Sequence, residues 1–140
     1  MPNSSPQMVC FAAYSLSLEF MRFYKPYLQD LGLTYPQYLV MLQLWQKDNQ
    51  FVSEIGAPLG LDSSTLSPLL KKLEAAKLVA RSRDVEDERK TRIIMTAQGK
   101  ALESKAAHIP SCVVKGTGRS VEDLLSLIGE LNDLKQSLSE

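Results

Sequence analysis

The sequence predicts a mainly helical fold that contains one small β-hairpin. Residues 52–96 carry two short helical patterns joined by a tight turn, and these are followed by two alternating stretches, 78–83 and 91–95. The segment between those stretches, DVEDERK, is too polar to bury and is typical of a hairpin tip. Apolar helical patterns towards both ends of the 140-residue chain complete one domain with a small core.

Two helices are expected before these elements. Residues 7–31 present a broad apolar surface, and Pro26 is a residue that can kink such a helix. Thr34 then begins the next helix through a capping box with Gln37, and this helix is expected to run to about Lys47.

The second of the two short helices is the first candidate for a functional surface. Asp62 is expected to cap it, and its leucines recur at a spacing that faces a core. The other side is left to short hydroxyls and lysines: Ser63, Ser64, Thr65, Ser67, Lys71 and Lys72. These groups suit contacts with phosphates and base edges, although an ordinary solvated helix face would look the same.

The hairpin favours DNA contact over an ordinary solvated helix face. A basic hairpin directly after a helix-turn-helix is the arrangement called a winged helix-turn-helix. Its basic residues could reach phosphates or a narrow minor groove, and they are Arg81, Arg83, Arg89, Lys90 and Arg92. Asp87 is the closest acidic candidate to orient Arg89. Because the net charge is zero, we expect site-selective and salt-sensitive binding to double-stranded DNA.

The chain after the hairpin is expected to hold two more helices. Thr96 caps the first, which runs through about His108, and Ser120 begins the last. The segment between them, with Pro110 and two glycines, is expected to be loose.

The apolar stripe of the last helix is wider than a core of this size can cover. We therefore expect residues 1–32 and 97–140 to form a homodimer, with residues 33–96 as the DNA-binding part of a single domain. Two-fold symmetry would place two recognition helices on a palindromic operator.

Several other classes of protein are disfavoured. No run of 18 apolar residues exists and MPNSSPQ lacks the cationic start of a secretory signal, so we expect a cytoplasmic protein that does not span a membrane. Two cysteines and one histidine cannot build a tetrahedral zinc site, and no Gly-rich phosphate loop, HExxH pattern or nucleophile elbow is present. We expect no metal, no cofactor and no hydrolytic chemistry.

Three strings, LTYPQYLVMLQLW, LDSSTLSPLLKKLEAAKLV and RSRDVEDERKTRIIMTAQGK, resemble the MarR family of winged-helix regulators, over essentially the whole chain. Within that family, VCFAAYS and FYKPYLQDLGLTYPQYL resemble the repressors that respond to organic hydroperoxides. The resemblance implies a repressor whose reduced dimer holds operator DNA. It also implies that organic peroxides oxidise a reactive cysteine, Cys10, whose matching tyrosines are Tyr14, Tyr24 and Tyr35.

Spacing adds a constraint to this implied site. Cys10 and Tyr14 are four residues apart on one helix face and can be neighbours. Tyr24 is fourteen residues from Cys10, which is about 21 Å along a helix. Tyr24 could therefore reach only the Cys10 of another subunit, unless the helix is broken between them. The alternative is that Cys10 is a small buried hydrophobe and that the tyrosines are core aromatics.

A second cysteine departs from the family pattern. Relatives with two working cysteines carry the second near the position of Lys115 or Arg119, and Cys112 lies about one helical turn earlier. Cys112 is either the thiol that resolves an oxidised Cys10 or an inert free cysteine. In the second case a low-molecular-weight thiol would take its place.

Three functions follow from these observations. The first is a hydroperoxide-sensing repressor, and the second is a MarR-type repressor released by a small phenolic or other ligand, with Cys10 incidental. The third is a thiol peroxidase, which would need a recycling partner and would leave the basic hairpin without a purpose. The sequence does not identify the operator, the regulated genes or the preferred peroxide.

Overall fold

The structure is a computed structural model that describes residues 8–140. The MPNSSPQ segment and the expected first residue of the N-terminal helix lie outside the described residues. The described chain is mainly helical with a small antiparallel sheet, as predicted. It divides into two compact units, one ending at Ala106 and one beginning at Ala107.

The first unit contains five helices and a three-stranded sheet within the described residues. The helices are α1 (Met8–Leu31), α2 (Tyr35–Gln46), α3 (Val52–Leu59), α4 (Ser63–Ala75) and α5 (Ala97–Ala106). The strands are β1 (Gln50–Phe51), β2 (Val79–Arg83) and β3 (Thr91–Met95), in the order β1-β3-β2 with both pairs antiparallel.

The predicted helix starts are confirmed by their caps. The Thr34 hydroxyl accepts a hydrogen bond from the Gln37 N–H at 3.3 Å, and the Gln37 side chain accepts one from the Thr34 N–H at 3.0 Å. These two bonds form the expected capping box of α2. The helix α1 runs through Pro26 without interruption, so this proline does not divide it.

The core of the first unit lies around α2, whose Val40, Met41 and Leu44 are fully buried. One contact there admits only a glycine: a Cβ atom on Gly99 would stand 2.2 Å from the Leu78 carbonyl oxygen. The Gly99 carbonyl also accepts a hydrogen bond from Trp45 Nε1 at 2.9 Å. The start of α5 therefore packs closely against α2 and against the turn that joins α4 to β2.

The strand β1 is an addition to the predicted hairpin. Gln50 pairs with Ile93, and Phe51 pairs with Arg92. Asp48, just before β1, accepts a hydrogen bond from the Met95 N–H at 2.8 Å. The hairpin is thereby joined at its base to the segment that leads into α3.

The second unit contains α6 (Ile109–Thr117) and α7 (Val121–Leu138). The expectation of a loose segment here is wrong, because Pro110 lies in the first turn of α6. The missing N–H of a proline is tolerated in a first helical turn, so Pro110 begins a helix where we expected a break. Ser120 caps α7 as predicted, accepting a hydrogen bond from the Asp123 N–H at 3.1 Å.

None of the helices within residues 8–140 combines the length and the apolar character needed to cross a membrane.

Candidate nucleic-acid interface and thiol site

The start of α4 is fixed by Asp62. Its Oδ1 atom accepts hydrogen bonds from the Thr65 N–H at 2.9 Å and from the Ser64 hydroxyl at 2.7 Å. The hydrogen bond from the Ser64 side chain, followed by those from Thr65, lowers the pKa of the Asp62 carboxyl. The predicted cap is confirmed, and it also engages the Ser64 hydroxyl as a donor.

The two faces of α4 are separated as the sequence predicts. Leu66, Leu70 and Leu73 are buried, while Lys71 and Lys72 are exposed. Three hydroxyl-bearing residues at the helix start, Ser63, Ser64 and Thr65, are also exposed, and Ser67 is half-buried. The helix therefore presents short donors and acceptors at one end and two ammonium groups further along.

We call β2, β3 and the residues between them, 79–95, the wing. Its strands pair over five positions, from Val79 with Met95 to Arg83 with Thr91. The tip is closed by backbone hydrogen bonds from the Asp84 N–H to the Lys90 carbonyl at 2.9 Å and from the Lys90 N–H to the Asp87 carbonyl at 3.0 Å. The acidic tip is thus an ordered turn.

Asp87 orients Arg89, as the sequence predicts. Arg89 Nε donates to Asp87 Oδ1 at 3.1 Å, and a terminal nitrogen of Arg89 donates to Asp87 Oδ2 at 3.3 Å. The hydrogen bond from the Arg89 side chain is the largest of the effects that lower the pKa of the Asp87 carboxyl. The Arg89 side chain is 91% exposed. The guanidinium is therefore held in one orientation while its remaining donors point to solvent.

The other arginines of the wing are engaged differently. Arg81 forms an ion pair with Glu74 at 3.2 Å, which ties β2 to α4. Arg83 donates to the Glu88 carbonyl at 2.9 Å. Arg92 is the least exposed of those that form ion pairs, at 32%. Sequence reasoning treated the basic wing residues as equivalent, and the structure divides them into inner and outer positions.

An open groove of about 620 Å³ lies between α3, α4 and the wing. Its lining includes Ser63 and Ser67 from α4 and Arg89 and Lys90 from the wing tip. Five of the predicted binding residues therefore line one shared concave surface, namely Ser63, Ser67, Arg81, Arg89 and Lys90. The lysines of α4, Lys71 and Lys72, are exposed but are not part of this lining.

The thiol site starts from the continuity of α1. Cys10 and Tyr14 are both exposed, four residues apart on this helix. Because α1 is unbroken from Met8 to Leu31, Tyr24 lies about 21 Å along the axis from Cys10. A hydrogen bond needs about 3 Å between heavy atoms, so Cys10 and Tyr24 of one chain cannot contact each other.

Tyr24 instead pairs with Tyr35, as neighbours with ring centroids 4.9 Å apart. Burial raises the pKa of Tyr24 well above its usual range, and the nearby Tyr35 and Tyr38 add to the increase. Burial also raises the pKa of Tyr35, while a hydrogen bond with Tyr24 opposes that increase. Both phenols therefore stay protonated at neutral pH, so each can act as a hydrogen-bond donor.

Tyr38 is a member of this aromatic group that sequence reasoning missed. Its ring lies 5.9 Å from that of Tyr24 and 6.3 Å from that of Trp45, and the residue is 2% exposed. The signal was its position three residues after Tyr35 on a capped helix, which places both on one face.

Cys112 is half-buried within α6. Its N–H donates to the His108 carbonyl at 3.2 Å, in the first turn of that helix. Cys112 therefore lies on a regular helix and not on the loose segment that we expected.

Within residues 8–140, no three His, Cys, Asp or Glu side chains are close enough together to hold a metal ion.

Comparison with known proteins identifies relatives over most of the chain. The family model for the transcriptional regulators SarA/Rot matches residues 22–105. The HTH-type transcriptional regulator TtmR of Methylorubrum extorquens is 42% identical over 137 residues, which are 98% of this chain and 70% of TtmR. The organic hydroperoxide resistance transcriptional regulator of Bacillus subtilis is 41% identical over 132 residues, which are 94% of this chain and 90% of that protein.

The fold is also that of a solved regulator. The structure of reduced AbfR bound to DNA matches with a TM-score of 0.82 and 36% identity, covering 96% of this chain and 94% of the AbfR chain. AbfR, from Staphylococcus epidermidis, has also been solved in a disulfide form, which matches with a TM-score of 0.69. Since the family model covers more than half of the chain and the relatives cover nearly all of it, the chain belongs to the SarA/Rot family of MarR-like winged-helix transcriptional regulators.

Proposed function

We propose that this protein is a DNA-binding repressor that senses organic hydroperoxides through oxidation of Cys10 and then releases its operator. The observation that carries the proposal is the packed pair of tyrosines, Tyr24 and Tyr35, on a chain that exposes Cys10 towards the start of α1. The similarity to the organic hydroperoxide resistance regulator of Bacillus subtilis supports the choice of signal. A DNA-binding repressor of this kind acts in the cytoplasm.

The DNA-binding surface in this proposal is the shared groove together with the exposed face of α4. Lys71 and Lys72 on α4 and Arg89 on the wing supply positive charge for phosphates, and the hydroxyls at the start of α4 supply contacts for base edges. The DNA-bound structure of AbfR, which covers almost the same length of chain, supports this role.

The working unit in this proposal is a homodimer. Two helices present large apolar side chains to solvent in the single chain, and α7 has no buried residue at all. On α1 these side chains are Val9, Phe11, Tyr14, Leu16, Leu18, Met21 and Phe23. On α7 they are Val121, Leu125, Leu127, Ile128, Leu131, Leu134 and Leu138. Apolar surface of this extent needs a cover, and a second copy of the same chain supplies it.

The sensor then combines the two copies. Cys10 cannot reach the tyrosine pair of its own chain, so the pair that serves it belongs to the partner subunit. A phenolic O–H donor beside the sulfur stabilises the thiolate, which is the form that attacks peroxides. Tyr24 and Tyr35, whose rings pack together, are the candidate donors in this arrangement.

The chemistry is a two-electron oxidation. The Cys10 thiolate attacks the outer oxygen of the hydroperoxide, an S–O bond forms, and the O–O bond breaks. The alkoxide leaves and takes up a proton to become the alcohol, and the sulfur becomes a sulfenic acid. A thiol then condenses with the sulfenic acid to give a disulfide and water. That thiol is either Cys112 or a low-molecular-weight thiol.

Two other functions predict different results in a DNA-binding titration before and after treatment with hydroperoxide. A repressor released by a small ligand would leave DNA without any change at Cys10. A thiol peroxidase would consume many equivalents of peroxide per Cys10 while DNA binding stayed intact, and we propose a switch without such turnover.

The test is a DNA-binding titration with the protein's own promoter region, before and after treatment with an alkyl hydroperoxide. We expect the reduced protein to bind and about one equivalent of peroxide per Cys10 to release it. The control is Cys10→Ser, which should bind as the wild type does and stay bound under peroxide. Release of Cys10→Ser by peroxide would remove this cysteine from the mechanism.

A further inference from the structure

We propose that Arg92 positions the wing and does not itself contact DNA. It does so with Asp84 and Phe51, and we call these three residues the wing brace. The inference rests on the proposed role of the wing in DNA binding, and it departs from the sequence-based expectation that Arg92 contacts DNA.

Arg92 contacts a carboxylate, an aromatic ring and an amide oxygen through its guanidinium. Arg92 Nε donates to Asp84 Oδ1 at 2.9 Å, and the Arg92 Cζ atom lies 4.0 Å from the centre of the Phe51 ring. A terminal nitrogen of Arg92 also donates to the Asn49 side-chain oxygen at 3.4 Å. The Arg92 guanidinium thus connects β3 to three other places. These are Asp84 at the wing tip, Phe51 at the end of β1 directly before α3, and Asn49 in the turn before β1.

The strand register explains why these side chains meet. Phe51 lies directly opposite Arg92 in the β1–β3 pair, so both side chains are on one face of the sheet. Arg92 lies opposite Ser82 in the β2–β3 pair, and Asp84 is two residues beyond Ser82. A residue two positions along the paired strand is the diagonal neighbour on the same face, within reach of a long side chain. The brace therefore runs straight across the sheet.

Asp84 connects Arg92, through Asp87, to the solvent-exposed Arg89. Its second oxygen, Oδ2, accepts a hydrogen bond from the Asp87 N–H at 3.1 Å, and the Asp87 carboxylate holds Arg89. The hydrogen bond from Arg92 is the main cause that keeps the pKa of the Asp84 carboxyl below its usual range. Asp84 is therefore charged at neutral pH and can hold both partners.

The contrast with Arg89 separates positioning from contact. The side chain of Arg89 is 91% exposed and that of Arg92 is 32% exposed, while the side chain of Asp84 is only 13% exposed. To reach a phosphate, Arg92 would have to leave a carboxylate and an aromatic ring that it already contacts. Arg92 therefore affects DNA binding by fixing the orientation of the wing.

The first test uses Asp84→Asn, because charge and positioning predict opposite results. Removing a negative charge beside DNA should tighten binding on electrostatic grounds alone. An asparagine, however, offers one acceptor oxygen and cannot hold both Arg92 and the Asp87 N–H. The brace predicts binding weakened about three- to tenfold, because the removed negative charge offsets part of the roughly tenfold or larger loss from one charge-assisted hydrogen bond. Glu86→Gln is the matched control, since it removes the same charge from an exposed side chain in the same tip, and it should bind as tightly as the wild type or more tightly.

The second test uses Arg92→Lys, which keeps the charge but loses the planar group that stacks on Phe51 and donates to Asp84. The brace predicts that Arg92→Lys binds DNA less tightly than the wild type, while the dependence of log affinity on log salt is unchanged. A lysine that restores wild-type affinity would identify Arg92 as a phosphate contact and overturn the proposal. So would Asp84→Asn binding as tightly as Glu86→Gln.

Hydrogen exchange distinguishes a failure of the wing brace from a failure of the proposed DNA-binding function. In the free protein, Asp84→Asn and Arg92→Lys should both speed exchange of the Asp87 and Lys90 amides, and Glu86→Gln should not. If the wild-type protein binds no DNA at all, the proposed function fails, and the exchange rates still test the brace. Unchanged exchange in both variants would overturn it.

Discussion

Mixed dimers test whether the thiol site is shared between two subunits. One protomer carries Cys10→Ser, and its partner carries Tyr24→Phe together with Tyr35→Phe. If the site is shared, one of the two sites in this mixed dimer loses both its cysteine and its phenols, and the other keeps both. If the site lies within one chain, neither site keeps both. We expect the mixed dimer to react with an alkyl hydroperoxide at the wild-type rate, with half of the wild-type number of sites.

The magnitude follows from the geometry of α1 and from the strength of the lost hydrogen bonds. The separation of about 21 Å along α1 cannot be closed by two side chains, whatever their rotamers. Losing a hydrogen bond to a charged sulfur costs about 1.5–3 kcal/mol, which lowers the thiolate population about tenfold or more. A less stabilised thiolate is intrinsically more nucleophilic, so part of that loss is returned. The site without its phenols should therefore react roughly three- to tenfold more slowly.

The assay is the rate at which the Cys10 thiol is lost under excess hydroperoxide, measured separately from Cys112, with the mixed dimer purified through two different tags. The control is the homodimer of the tyrosine variant, in which both sites should be slow. A mixed dimer whose single Cys10 reacts as slowly as Cys10 in this homodimer would refute the shared site. Wild-type rates in the tyrosine homodimer would refute any role for the phenols.

Three further predictions concern the DNA-binding face, one glycine each in α5 and α7, and the second cysteine. Arg89→Ala should weaken operator binding in a folded dimer. Lys72→Ala should lower the slope of log affinity against log salt by roughly one per half-site contact. Wild-type affinity and slope across a salt series would contradict both assignments. Gly99→Ala should lower the free energy of unfolding by about 2 kcal/mol or more in urea denaturation, because its Cβ would stand 2.2 Å from a backbone carbonyl oxygen. Gly129→Ala, with nothing within 4 Å, should raise it by about 0.5–1 kcal/mol at the same protein concentration. Cys112→Ser should abolish a covalent dimer on non-reducing gels after peroxide; a covalent dimer that persists, or uptake of a low-molecular-weight thiol by the wild type, would make this cysteine a bystander.

The elements that could be predicted from the sequence are those defined by neighbours along the chain. Thr34, Asp62 and Ser120 each accept a hydrogen bond from an N–H three residues later, so a short string of letters contains both partners. The ion pair of Asp87 with Arg89 joins residues two apart. The faces of α4 follow from helical spacing alone. All of these predictions are confirmed.

The parts that could not be predicted join residues that are distant in sequence or depend on position within a helix. The contact of Arg92 with Phe51 needs the strand register, and β1 is too short to show an alternating pattern. Pro110 was misread because proline both ends helices and begins them, and its neighbours in sequence do not distinguish the two cases. The hydrogen bond from Trp45 to Gly99 spans 54 positions, so only the folded chain reveals it.

If the thiol site is divided between two chains, as we propose, redox sensing and dimerisation become one event. A single chain holds Cys10 at one end of α1 and its proposed donors at the other, so it has no complete sensor. It also holds one recognition helix, and one such helix reads half of a palindrome. Dilution that separates the subunits should therefore lower operator binding and the fast reaction of Cys10 with hydroperoxide over the same range of protein concentration. Cys10 that kept its fast reaction in separated subunits would show that the phenols are not its donors, because the continuity of α1 keeps them apart within one chain.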